Sequence, residues 1–104
     1  MDSISNQEEL ILLAVGALYP EAYGYGIQQE LKVELGRKVS LGTIHTILYR
    51  LENSGLLKSE MGGQSTKRGG RSKRIYSLTT KGENTVNELK RIRQSLYSRI
   101  SFGD

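Results

Sequence analysis

The chain has no cysteine, one histidine (His45) and one proline (Pro20) among its 104 residues. Without cysteine there is neither a disulfide framework nor a thiolate metal site, and a lone histidine makes no zinc cluster. No hydrophobic run is long either. Leu10 to Leu18 falls far short of the roughly 20 residues that a membrane span needs. The first residues, Met-Asp-Ser-Ile-Ser-Asn-Gln-Glu-Glu, are acidic where a signal or transit peptide would be basic. These absences point to a cytoplasmic protein with no membrane partner and no cofactor. The length suits one small domain, whose core is marginal unless something adds to it, and self-association is a common supplement.

What is present is charge, unevenly placed. The formal net charge is +4. Residues 1–36 carry one cation, Lys32, against six carboxylates, whereas residues 58–76 carry six cations against Glu60 alone. A segregated basic segment is the footprint of a phosphate-binding surface, although a solvated loop has the same composition. The stretch from Gly62 to Arg71, rich in Gly, Ser, Lys and Arg, reads as a mobile loop.

Periodicity predicts six elements. A first helix runs from Asn6 or Gln7 to Leu18, with Glu8 and Glu9 in its first turn and Pro20 ending it. Its apolar residues cover more than one face, so it is either central to the core or covered by a second subunit. A second helix follows Tyr23-Gly-Tyr-Gly and ends at Leu35, with Gly36 closing it; Ile27, Leu31 and Leu35 share its inner face, while Gln28 and Glu30 point elsewhere. Ser40 caps a third helix, 41–54, terminated by Gly55. Leu41, Ile44, Ile47, Leu48 and Leu51 form its inward stripe. Strands are expected at 56–61 and 72–78. Thr79 or Thr80 then opens a last helix reaching Ile100, on which Val86, Leu89, Ile92, Leu96 and Ile100 make a heptad-like seam. That seam either packs back on its own domain or, as favoured here, pairs two subunits.

Helix, helix, helix, strand, basic loop, strand, helix is the order of a winged helix-turn-helix: a mainly α, α+β fold with a three-helix core, a two-stranded wing and a long C-terminal dimerisation helix. Residues 1–79 would be the DNA-binding unit and 80–104 the dimerisation helix. A helix of this size fits the major groove, and its outward face presents Thr43, His45, Thr46, Tyr49 and Arg50, with no carboxylate before Glu52. Ser40 could donate to phosphate as well as cap. Lys67, Arg68, Arg71, Lys73 and Arg74 put five cations in eight residues at the wing, where they would reach phosphates or the minor groove. Leu10 and Leu13 of the first helix would join the seam of the last in the dimer interface.

Three blocks resemble one family. Tyr23-Gly-Tyr-Gly-Ile, then Val39-Ser-Leu-Gly-Thr-Ile-His-Thr-Ile-Leu-Tyr-Arg-Leu-Glu-Asn-Ser-Gly-Leu-Leu57, then Gly70-Arg-Ser-Lys-Arg-Ile-Tyr-Ser-Leu-Thr-Thr-Lys-Gly82 are similar to the PadR transcriptional regulators, from about Glu9 to Ile100. The resemblance implies a homodimer in which the last helix packs on the partner's first and last helices. It also implies repression of promoters through double-stranded DNA, and in some members binding of a small-molecule effector. Two departures stand out. His45-Thr46 replaces a Tyr-Pro common in the family, and the chain lacks the tryptophan with which some compact members hold planar drugs. Tyr97 would lie near such a cavity.

Catalysis finds no support in the sequence. His45 has no neighbouring nucleophile, no phosphate-cradling loop precedes a helix, and paired acids fall at solvent positions on helices. The alternative to a DNA-binding regulator is a winged-helix protein-interaction module that never touches DNA. Such a module has no need of a basic wing beside an acid-free helix face.

Overall fold

The computed structural model describes residues 4–62 and 73–103. Its elements are α1 (Asn6–Ala17), α2 (Gly24–Leu35), α3 (Leu41–Asn53), β1 (Leu57–Gly62), β2 (Lys73–Leu78) and α4 (Thr80–Tyr97). They follow the expected order, with bounds shifted by a residue or two except at α4. The mobile loop expected from Gly62 to Arg71 lies outside the described residues from 63 onward, and Gly62 itself closes β1.

Helix starts are written in the sequence. Ser5 and Glu8 form a reciprocal capping box on α1: the Glu8 amide donates to Ser5 Oγ, and the Ser5 amide to Glu8 Oε1. Ser40 caps α3 by accepting from the Thr43 amide, and Thr79 caps α4 by accepting from the Gly82 amide. Gly36 and Gly55 follow α2 and α3 at φ 72° and 80°, the left-handed conformation that glycine adopts without a Cβ penalty.

The core lies where α1, α2 and α3 meet. Ile11, Leu12, Val15, Ile27, Ile44 and Leu48 are fully buried there, joined by Leu51 and Leu57. Three expectations fail. Leu41 is 38% exposed rather than inward, because as the first residue of α3 it stands at the open end of the stripe. Gln28 is buried, and its Nε2 donates to the Val39 carbonyl at 2.8 Å. A polar side chain enters the core there because it satisfies a backbone acceptor of the turn leading into α3. Glu9 is also buried rather than solvent-facing; Arg93 Nε donates to its Oε2 at 2.8 Å and Arg93 Nη2 to its Oε1. That two-point hydrogen bond and its Coulombic attraction raise the Arg93 pKa further above its already high ordinary value.

The strands pair antiparallel, Leu57 opposite Leu78 through Gly62 opposite Lys73. Ala22 adds a single bridge on the other edge of β2, where the Tyr76 amide donates to its carbonyl at 2.8 Å. The segment before α2 is thereby tied to the ribbon.

Helix α4 is seated at its start, held again at Arg93 by Glu9, and exposed beyond that. Gly82 and Thr85 are buried, whereas Leu96 and Tyr97 are 56% and 60% exposed. The Cα radius of gyration is 15.6 Å and the longest axis 59 Å, against about 13 Å for the radius of a compact domain of this length. The helix therefore does not fold back on its own domain along its length. It ends at Tyr97 rather than Ile100; the last amides, including Ile100 to Tyr97, bond three residues back in a tightened turn.

A methyl group at Gly82 would lie 2.1 Å from the Leu56 carbonyl oxygen, a backbone atom with no room to retreat. Gly82→Ala should therefore cost about 3 kcal/mol, the upper end for overpacking, and lower Tm by roughly 10–20 °C. A thermal melt indistinguishable from wild type would show that α4 is not seated on Leu56.

Candidate nucleic-acid interface

The outer face of α3 carries the side chains expected of it, in differing circumstances. Thr46 and Tyr49 are exposed, Tyr49 by 67%. Ser40 and Thr43 are engaged with each other: the Ser40 hydroxyl donates to Thr43 Oγ1 at 2.9 Å while accepting from the Thr43 amide. Both hydroxyls are thus partly engaged within the first turn of α3. His45 is exposed but leans on the first turn of α2, where a Cβ on Gly24 would fall 2.7 Å from its Cε1. Glycine at 24 makes room for the imidazole. Arg50, in the last turn, inclines toward α1, with Nη1 3.9 Å from Glu8 Oε2. The central outward surface is thus Thr46 and Tyr49, with His45 and Arg50 drawn to either flank.

Pairing register sorts the wing. Cross-strand partners share a face, so Leu57, Ser59, Met61, Arg74, Tyr76 and Leu78 line one side and Lys58, Glu60, Gly62, Lys73, Ile75 and Ser77 the other. Tyr76 and Leu57 are buried, which makes theirs the inner face. The adjacent cations Lys73 and Arg74 consequently point opposite ways. Lys73 Nζ sits 4.1 Å from the centroid of the Tyr23 ring, a cation–π contact. Arg74 Nη1 donates to Ser59 Oγ at 3.0 Å, and Ser59 donates to Glu52 Oε2 at 2.7 Å. Burial and the Glu52 carboxylate push the Tyr76 phenol above its ordinary pKa, partly offset by the Arg74 guanidinium. Lys67, Arg68 and Arg71 lie outside the described residues, on the segment that leaves the ribbon at Gly62 and returns at Lys73.

Two cations escaped the sequence reading. Arg37 and Lys38 are exposed in the turn before Ser40. A basic pair just ahead of an N-cap serine is the sequence signal for them, and it lies between the acidic 1–36 and basic 58–76 segments.

A groove of about 810 Å³ along α4 is lined by Leu13 of α1 and by Val86, Leu89, Leu96, Tyr97 and Ile100, together with the Glu9–Arg93 pair. Of the seven residues expected at an interface, these include five; Leu10 and Ile92 are half-buried and do not line it. Tyr97 lines the groove, its ring 5.8 Å from that of Phe102. Among the described residues no group of His, Asp or Glu is arranged to hold a metal ion, and no helix is long and apolar enough to cross a membrane.

Three helices, a two-stranded antiparallel ribbon following the third, and a cation-bearing connection at the ribbon's end define a winged helix-turn-helix. The chain belongs to the PadR-like family of transcriptional regulators, whose sequence profile matches residues 10–88. A curated relative, transcriptional regulator Rv3488 of Mycobacterium tuberculosis, is 35% identical over 83 residues, 80% of this chain and 73% of the relative. Among solved structures, a PadR-like transcription factor from Bacteroides fragilis shares 35% identity at TM-score 0.72, covering 88% of this chain and 84% of that one. A PadR-like transcriptional regulator from Bacillus cereus shares 25% identity at TM-score 0.73 with the same coverage. The family and these relatives are transcriptional regulators, not enzymes.

Proposed function

We propose that the protein is a dimeric regulator that binds a near-palindromic operator in double-stranded DNA and represses transcription from it in the cytoplasm. In this reading residues 1–79 form the DNA-binding unit and 80–104 the dimerisation helix. Each copy lays α3 in a major groove, Thr46 and Tyr49 facing base edges, with Ser40, Thr43, His45 and Arg50 around them and Arg37 and Lys38 at the phosphates. The wing places Lys67, Arg68, Arg71 and Lys73 along the backbone or minor groove. Two copies joined through Leu10, Leu13, Val86, Leu89, Ile92, Leu96 and Ile100 would address half-sites about 34 Å apart.

The observation that carries this reading is the juxtaposition of an exposed, carboxylate-free α3 face with a ribbon ending in cations. The apolar groove supports the pairing, because exposed apolar surface rimmed by charge is characteristic of protein contact sites. Selection of DNA fragments by the purified protein, followed by sequencing, tests both halves at once. A two-fold symmetric consensus is expected; recovery of random fragments would refute sequence-specific binding.

Thr46→Ala and Tyr49→Ala should relax sequence preference, each lost base contact removing about 1–3 kcal/mol of discrimination. The measurement is the ratio of Kd on operator to Kd on scrambled DNA. An equal loss on both would mean that these side chains hold the backbone and do not read sequence.

A further inference from the structure

Arg74 belongs by sequence to the basic wing, yet its side chain is turned to the inner face of the ribbon. There it donates to Ser59 Oγ at 3.0 Å, and Ser59 donates to Glu52 Oε2 at 2.7 Å. Glu52 is in the last turn of α3, the helix that carries Thr46 and Tyr49. The three side chains thus link β2, across β1, to the recognition helix. A hydroxyl suits the middle place, since it accepts from the guanidinium and gives its single proton to the carboxylate. Charge at each end strengthens both bonds.

The ribbon needs such an anchor. A two-stranded hairpin has little stability of its own, and its direction is set by what holds its base. Leu57 and Tyr76 fix that base from within, and Ala22 bridges one edge. Toward the tip the inner face becomes exposed at Met61 and Arg74. The Arg74–Ser59–Glu52 link stands at that boundary, between the buried base and the segment that carries Lys67, Arg68 and Arg71.

We infer that Arg74 is a positioning residue, which through Ser59 and Glu52 aims the wing relative to the recognition helix, and is not itself a phosphate contact. The inference rests on the DNA-binding reading above and deepens it, since it makes the angle between the wing and α3 a determinant of operator affinity.

The two roles for Arg74 give different results. Arg74→Gln, Ser59→Ala and Glu52→Gln should each weaken operator binding roughly three- to tenfold, the scale of one hydrogen bond. The Arg74→Gln, Ser59→Ala double variant should lose no more than the larger single loss, because both changes break one link. Ser59→Thr, which keeps the hydroxyl, should bind as wild type. The slope of log affinity against log salt should be unchanged in Arg74→Gln, whereas loss of a phosphate contact would flatten it by about 0.9. Hydrogen exchange on the full chain without DNA should accelerate in β1 and β2 of Ser59→Ala and Arg74→Gln while α1 and α2 keep their protection. A flattened slope for Arg74→Gln, or wild-type binding by Ser59→Ala, overturns the inference. If the wild-type chain binds no DNA, the functional reading fails by itself. The exchange experiment then still decides whether the link holds the ribbon, and unchanged protection in both variants rejects it.

Discussion

Replacing Lys67, Arg68 and Arg71 together with alanine should weaken DNA binding about 100-fold at physiological salt. It should also take roughly 3 from the steepness of the salt dependence, since each phosphate contact contributes about 0.9 to that slope. The loss should be nearly the same on operator and on unrelated DNA, because phosphates carry no sequence information. This result would separate the wing from the helix, with Thr46 and Tyr49 expected to govern the ratio between sequences and the wing cations the affinity common to all of them. Titrations at several salt concentrations on both DNAs are the measurement. A triple variant that binds with wild-type affinity and slope would remove the wing from the interface and favour the protein-interaction alternative.

The second large effect concerns pairing. Leu96 lines the α4 groove and is 56% exposed in the single chain, so Leu96→Asp should leave the domain folded. In a dimer closed over that groove the same change places an uncompensated carboxylate in an apolar contact. A buried charge without a partner costs about 3–5 kcal/mol, and two-fold symmetry supplies two of them. Dimer dissociation should therefore rise at least about 100-fold, each 1.4 kcal/mol being a factor of ten. Sedimentation should report the 11.6 kDa chain in place of twice that mass. Ser95→Asp, exposed and outside the groove, is the control. Equal behaviour of the two variants would mean that the groove is not where copies meet.

Local signals foretold local structure well. Ser40, Thr79, Gly36 and Gly55 mark helix ends by hydrogen bonding and backbone geometry that involve only a few neighbours, and all four do so in the fold. Four residues of the inward stripe of α3, Ile44, Ile47, Leu48 and Leu51, follow from 3.6-residue periodicity alone. What stayed hidden depends on distant partners. Glu9 looks like an ordinary first-turn carboxylate until Arg93, 84 residues later, is laid against it. Gln28 reads as surface until the Val39 carbonyl is found beneath it. That Lys73 and Arg74 face opposite ways follows from the two-residue alternation of any strand. Which of the two faces inward depends on the packing that buries Tyr76, two residues after Arg74. Apolar spacing continues to Ile100 although helix α4 ends at Tyr97, because such spacing does not report where backbone bonding tightens.

Helix α4 is fastened to its own domain at Leu56 through Gly82, at the Ser54 carbonyl through Lys81, and further along at Glu9 through Arg93. With these fastenings in place, twisting one domain about the arm strains a packed backbone contact and an ion pair instead of turning a loose joint. Two such domains sharing one arm would act as a stiff caliper. The phase of the double helix between its jaws would then matter as much as the bases that each jaw touches.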